Sequence, residues 1–180
     1  MLINCFSVKK SVEEAEKEAR RKSFLARIFL RKRRDEIVMK TIFIENRLMT
    51  FDIIRKPSVA DKIFRKGSSE RGSKIQMIGN GSTCGVAYYD SRGVEAVELD
   101  VPEESVQYSD FSDKDFTLRG NVLARKILRR RVGGSVSLEI SDIKSIYRPY
   151  HIAFFGQPEE GAKVFYIPIA ADDCMVKRTF

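Results

Sequence analysis

At 180 residues, with 43 % hydrophobic and 10 % aromatic residues, the chain can bury a core, and its 32 % charged residues, mixed in sign, exclude a disordered polyelectrolyte. The formal charge of +8 favours polyanionic partners, with Lys and Arg crowded into 9–34, 55–74 and 119–131 and an acidic stretch over 90–115 set against them. One His, three Cys without a CxxC pair and no apolar run approaching the ~20 residues of a membrane span argue against a metal cluster, a disulfide framework or a transmembrane helix.

Residues 1–8 are too short for the apolar region of a signal peptide, and an odd cysteine count fits reduced thiols, so a soluble cytoplasmic protein is expected. Ser11-x-x-Glu14 then opens a helix as a capping box, with Ala15, Ala19, Leu25, Ala26, Ile28 and Phe29 forming its apolar face. Arg31, Arg33 and Arg34 close it, cations at the negative end of the macrodipole. A strand is expected over 40–54, with a bulge or bend at Glu45-Asn46, then a long loop over 55–71. Three short strands follow at 75–78, 84–89 and 94–99, reversed at Asn80-Gly81 and at the turn 90–93.

The second half begins in the same way. Ser112-x-x-Asp115 caps a helix carrying Leu123, Ala124, Ile127 and Leu128, which ends in Arg129, Arg130 and Arg131 and stops at Gly133-Gly134. The spacer 132–143 contains an alternating stretch at 135–140, read as an extra strand or a helix extension. Strands are expected from Lys144 onward, with Pro149 at an edge or bulge, and at 164–169 and 174–180.

Matching blocks occur in the same order in both halves: LARIFLRKR (25–33) with LARKILRRR (123–131), KTIF (40–43) with KSIY (144–147), GSKI (72–75) with GAKV (161–164), and Cys84 with Cys174. Collinear blocks predict a duplication. The expected fold is therefore α+β, with two repeated modules over 1–104 and 105–180, each a helix packed on a small antiparallel meander. This order of elements resembles the cystatin-like fold, and also the small α-β-β modules of PepSY proteins. The resemblance covers both halves as topology and hydrophobic pattern. The Q-x-V-x-G loop of cystatins is absent, so no functional residue carries over.

The chemistry available is thin. His151 is the one general base with an ordinary pKa near neutrality, and Cys84 or Cys174 with Asp172 or Asp173 would have to complete a nucleophilic site around it. Free cysteines more often act as small buried hydrophobes. The loop 79–85 lacks the Gly-Lys-Ser ending of a P-loop. A non-enzymatic binding or assembly protein is expected, without cofactor or metal. Its partner surface is placed at Tyr147, Arg148, Tyr150, His151 and Phe155, within an aromatic cluster on two pairing strands. The expected partner is a protein, either a second copy or another chain. One alternative is a polyanion-binding protein, taking nucleic acid or an anionic membrane surface on Arg27, Arg31, Arg33, Arg34, Arg125, Arg129, Arg130 and Arg131. The other is a small-ligand enzyme with a pocket near His151.

Overall fold

A computed structural model describes residues 1–30, 37–55, 71–92, 94–131, 136–156, 165–172 and 174, apart from the side chains of 24–30, 55, 71, 72, 131 and 136. The elements are β1 (Leu2–Phe6), α1 (Val12–Leu30), β2 (Ile37–Arg55), β3 (Arg71–Asn80), β4 (Val86–Tyr88) and β5 (Ala96–Asp100). A 3-10 turn (Glu103–Ser105), β6 (Val106–Gln107), α2 (Asp113–Arg131), β7 (Val136–Phe155) and β8 (Phe165–Ala170) complete them.

Both helices start where the capping boxes predict. The Ser11 hydroxyl accepts the Glu14 N–H at 3.2 Å while the Glu14 carboxylate accepts the Ser11 N–H at 3.0 Å. Ser112 and Asp115 exchange the same two bonds at 3.3 and 3.1 Å. Each box satisfies amides that a helix start leaves without intrahelical partners.

Among the described residues the strands form one mixed sheet in the order β4-β3-β2-β7-β1-β5, with β6 on β2 and β8 on β7. Backbone contacts group into two compact units: Met1–Ile44, Arg92–Gln107 and Tyr147–Cys174 in one, Glu45–Ser91 and Tyr108–Ile146 in the other. In the first unit, β5 runs antiparallel to β1, β1 parallel to β7 through Cys5 and Tyr147, and β8 antiparallel to β7 from Tyr150↔Ala170 to Phe155↔Phe165. Ala15 and Ala19 of α1 pack on Ala153 and Ile169, with Ile37, Met39, Phe155 and Ile167 partly buried against the same cluster. A second cluster joins Ile3, Cys5, Phe43, Val101 and Tyr147.

In the second unit, β3 pairs antiparallel with β2 and β4 with β3. Phe116, Ala124, Ile127 and Leu128 of α2 pack on Met49, Phe51, Ile75, Met77 and Leu138. Gly79 of β3 permits this approach: a Cβ there would sit 2.4 Å from Cδ1 of Phe116.

The fold departs from two repeated helix-on-meander modules. Helix α1 packs on β8, and α2 on β3 and β4, so each helix covers strands from the other half of the chain. Length is the physical reason. Strands β2 and β7 have 19 and 20 residues, about 65 Å at ~3.3 Å per residue, whereas each 19-residue helix spans about 28 Å. One helix cannot cover such a strand, and each long strand contributes to both units.

Several local expectations also change. The stretch from Val136 is the start of β7, continuous with the strand expected from Lys144. The β2–β3 pairing runs from Asn46 to Ile54, with a register shift between Ile53 and Ile54. Pro149 lies buried inside β7, where its carbonyl accepts the Ala171 N–H at 2.9 Å. The loop centred on 56–70, the Gly133-Gly134 stop, the block at 161–164 and the strand expected over 175–180 lie outside the described residues. Among the described residues, no helix is long and apolar enough to cross a membrane.

Candidate functional site

A shallow concave surface lies on the first unit, where the chain turns into α1. A cleft of about 550 Å³ is lined by Lys9, Lys10, Glu14, Lys17, Glu18 and Arg21. Residues 14, 17, 18 and 21 follow the i, i+3, i+4, i+7 spacing of a single helix stripe, which forms one wall. The Lys9-Lys10 turn forms the other, and it is firmly held. Both amides donate to the Ala171 carbonyl, at 2.8 and 3.0 Å. The Lys10 carbonyl accepts the Nε2–H of His151 at 2.8 Å, while Nδ1 of the same ring accepts the Thr41 hydroxyl at 2.9 Å.

The acids of this cleft are already committed. Glu14 accepts the Ser11 amide within the capping box. Glu18 is bonded by Lys10 at 2.6 Å and Lys22 at 2.7 Å, and these two ammonium groups hold its carboxyl down at about 2. Lys9, Lys17 and Arg21 are exposed. Four cations against two carboxylates leave the lining with a net charge of +2. A cleft of this size takes a small molecule, and its chemistry suits an anion.

The sequence-predicted surface residues lie elsewhere in the same unit and are mostly interior. Tyr147 is buried in the cluster with Ile3 and Cys5. Arg148, 5 % exposed, meets Asp172 in a two-pronged pair at 2.8 and 2.7 Å, donates to the Cys174 carbonyl at 3.1 Å and lies 5.5 Å from the Tyr150 ring centroid. Burial alone would lower the Arg148 pKa, but the Asp172 bonds outweigh it and raise the value above the ordinary one. Phe155 is partly buried beside Ala15 and Ala19, and its ring stands 5.3 Å from that of Phe165, directly across the β7–β8 pair. The aromatic strands therefore pair as expected.

His151, 3 % exposed, has both ring nitrogens engaged. Cys5, Cys84 and Cys174 are free and buried, and burial raises each thiol, Cys174 to about 11. The partners of His151 are the Thr41 hydroxyl and the Lys10 backbone carbonyl, neither of them a cysteine or a carboxylate. Among the described residues no group of His, Cys, Asp and Glu has the arrangement to hold a metal ion.

Of the predicted basic patch, Arg125, Arg129 and Arg130 are exposed on α2; Arg27 and Arg131 are helical with side chains outside the description, and Arg31, Arg33 and Arg34 fall outside the described residues. The second unit also holds a polar centre: Glu45 accepts from Arg47, from Ser145 at 2.8 Å and from the Ser109 amide at 2.9 Å, while Arg47 donates to Asp113 at 2.6 Å. Burial pushes the Glu45 carboxyl up, and these donors more than offset it, leaving it lowered.

Sequence reasoning missed the cleft. The signal was present: two lysines immediately before a serine cap, then Lys17 and Arg21 on the stripe of Glu14 and Glu18. No protein family, curated protein or solved structure matches this chain.

Proposed function

We propose that this chain is a non-enzymatic binding protein whose ligand is a compact anion of phosphate or carboxylate chemistry, taken in the cleft on α1. The observation that carries the reading is the +2 lining of a cleft whose two carboxylates are already bonded to Ser11, Lys10 and Lys22. An anion entering there meets the exposed side chains of Lys17 and Arg21 on the helix stripe. The non-enzymatic part rests on the buried state of His151 and the three thiols, whose protons and sulfurs do not reach a substrate. Three free thiols also suit a reducing compartment, the cytoplasm.

The reading is tested by isothermal titration of the full chain with pyrophosphate at increasing salt. Saturable binding at low salt that weakens as salt rises is expected. Lys17→Ala with Arg21→Ala should weaken it roughly tenfold, whereas Arg125→Ala with Arg129→Ala should leave it unchanged. Parallel titrations with a short single-stranded oligonucleotide and with phosphatidylserine vesicles show whether the anion is free, on a polymer or on a lipid headgroup. Absence of pyrophosphate binding at low salt, or binding that ignores Lys17 and Arg21, overturns the proposal.

A further inference from the structure

Two exposed apolar surfaces of this chain carry opposite charge. On α2, Phe116, Ala124, Ile127 and Leu128 face the core, and Leu118 and Val122 on the opposite side are 68 % and 64 % exposed. Helical spacing places exposed Arg125 and Arg129 on the same outer stripe just C-terminal to the two aliphatic side chains, with exposed Lys114 and Asp115 at its N-terminal end. On β5, the last strand in the sheet order, Val97 and Leu99 are 39 % and 37 % exposed. They stand in register with buried Cys5 and Ile3 and carry that apolar face out to the sheet edge. Glu95, two residues before Val97 on the same strand face, and Glu103 and Glu104 just after the strand are exposed.

We infer that a second copy of this chain covers both surfaces, the α2 stripe of one copy seating on the β5 edge of the next. The spacing agrees: Leu118 and Val122 are about 6 Å apart along a helix, and Val97 and Leu99 about 7 Å apart along a strand. Charge selects this pairing over the symmetric ones. Two β5 edges would bring carboxylates against carboxylates, and two α2 stripes would bring cations against cations. The α2-on-β5 contact buries aliphatic carbon on both sides and ends each stripe on opposite charge. Such a contact uses different surfaces on the two copies, so it repeats head to tail into a ring or a filament. It is independent of the anion cleft, which lies on α1.

Sedimentation velocity on the full chain tests the pairing. The wild-type chain should sediment above the monomer at low salt and shift toward it at high salt. Arg125→Glu with Arg129→Glu, and separately Glu95→Lys with Glu103→Lys, should each weaken assembly roughly tenfold, and Leu118→Gln with Val122→Gln should do the same. An equimolar mixture of the two charge-reversed chains should assemble again, because each then offers the other a complementary surface. A wild-type monomer at low salt overturns the inference. So does assembly that survives the reversals, or a mixture that stays monomeric while both chains keep the wild-type melting transition.

Discussion

His151 and Lys10, 141 residues apart in sequence, are joined by a 2.8 Å hydrogen bond from the imidazole Nε2–H to the lysine carbonyl. The bond holds the backbone that leads into α1, and so fixes one wall of the cationic cleft. The histidine is a positioning residue here. Replacing it with Phe strands the Lys10 carbonyl and the Thr41 hydroxyl, a loss of about 1–3 kcal/mol in urea unfolding. His151→Gln, whose amide can donate to the same carbonyl, should recover part of the stability and of the anion affinity. Unchanged unfolding for His151→Phe would show that the bond contributes nothing.

The Arg148–Asp172 pair should be the most sensitive polar contact of the first unit. Its side chains are 7 % and 1 % exposed, so removal of one partner leaves a charge without solvent or counterion. Asp172→Ala is expected to destabilise by roughly 3–5 kcal/mol, whereas Arg148→Met combined with Asp172→Leu should lose far less. Denaturant unfolding of the single and double variants separates the two outcomes. Equal losses in both would mean that packing, not the stranded charge, sets the effect.

Glu18 supplies an acid-side dependence. Its folded carboxyl titrates at about 2, below the ordinary 4.5, because Lys10 and Lys22 bind its charged form. A lowered folded value means that the contribution is complete above about pH 4.5 and is lost as pH falls toward 2. Thermal melts across that window should show the wild-type chain losing its advantage over Glu18→Gln. A constant difference between the two chains through the window would contradict the assignment.

The three thiols should be inert in the folded chain. Each is buried and has its pKa raised by burial, so little thiolate is present near neutrality. Ellman labelling should be slow for native protein and reach all three sites in denaturant. Fast native labelling at any one of them would show a site open to solvent chemistry.

Local features were legible because they depend on nearby residues. Ser11 with Glu14 and Ser112 with Asp115 mark both helix starts through bonds spanning three positions. Alternation marks β7 and β8, and the facing aromatics Phe155 and Phe165 follow from it. Which helix covers which strand depends on partners far apart in sequence. Ala15 and Ala19 pack on Ala153 and Ile169, contacts that local periodicity does not encode. The parallel contacts of β1 with β7 and of β6 with β2 were hidden for the same reason, since strands of five and two residues carry little pattern. Of the predicted surface, Tyr147, Arg148 and His151 are interior through distant partners: Ile3 and Cys5 cover Tyr147, Asp172 holds Arg148, and Lys10 and Thr41 hold His151.

Amide-resolved NMR of the full chain titrated with pyrophosphate bears most directly on anion binding at α1. Saturable shifts should centre on the amides of Lys9, Lys10, Lys17 and Arg21, with those of Arg125, Arg129 and Arg130 unmoved. No saturable shift at low salt, or shifts centred on α2, would contradict it.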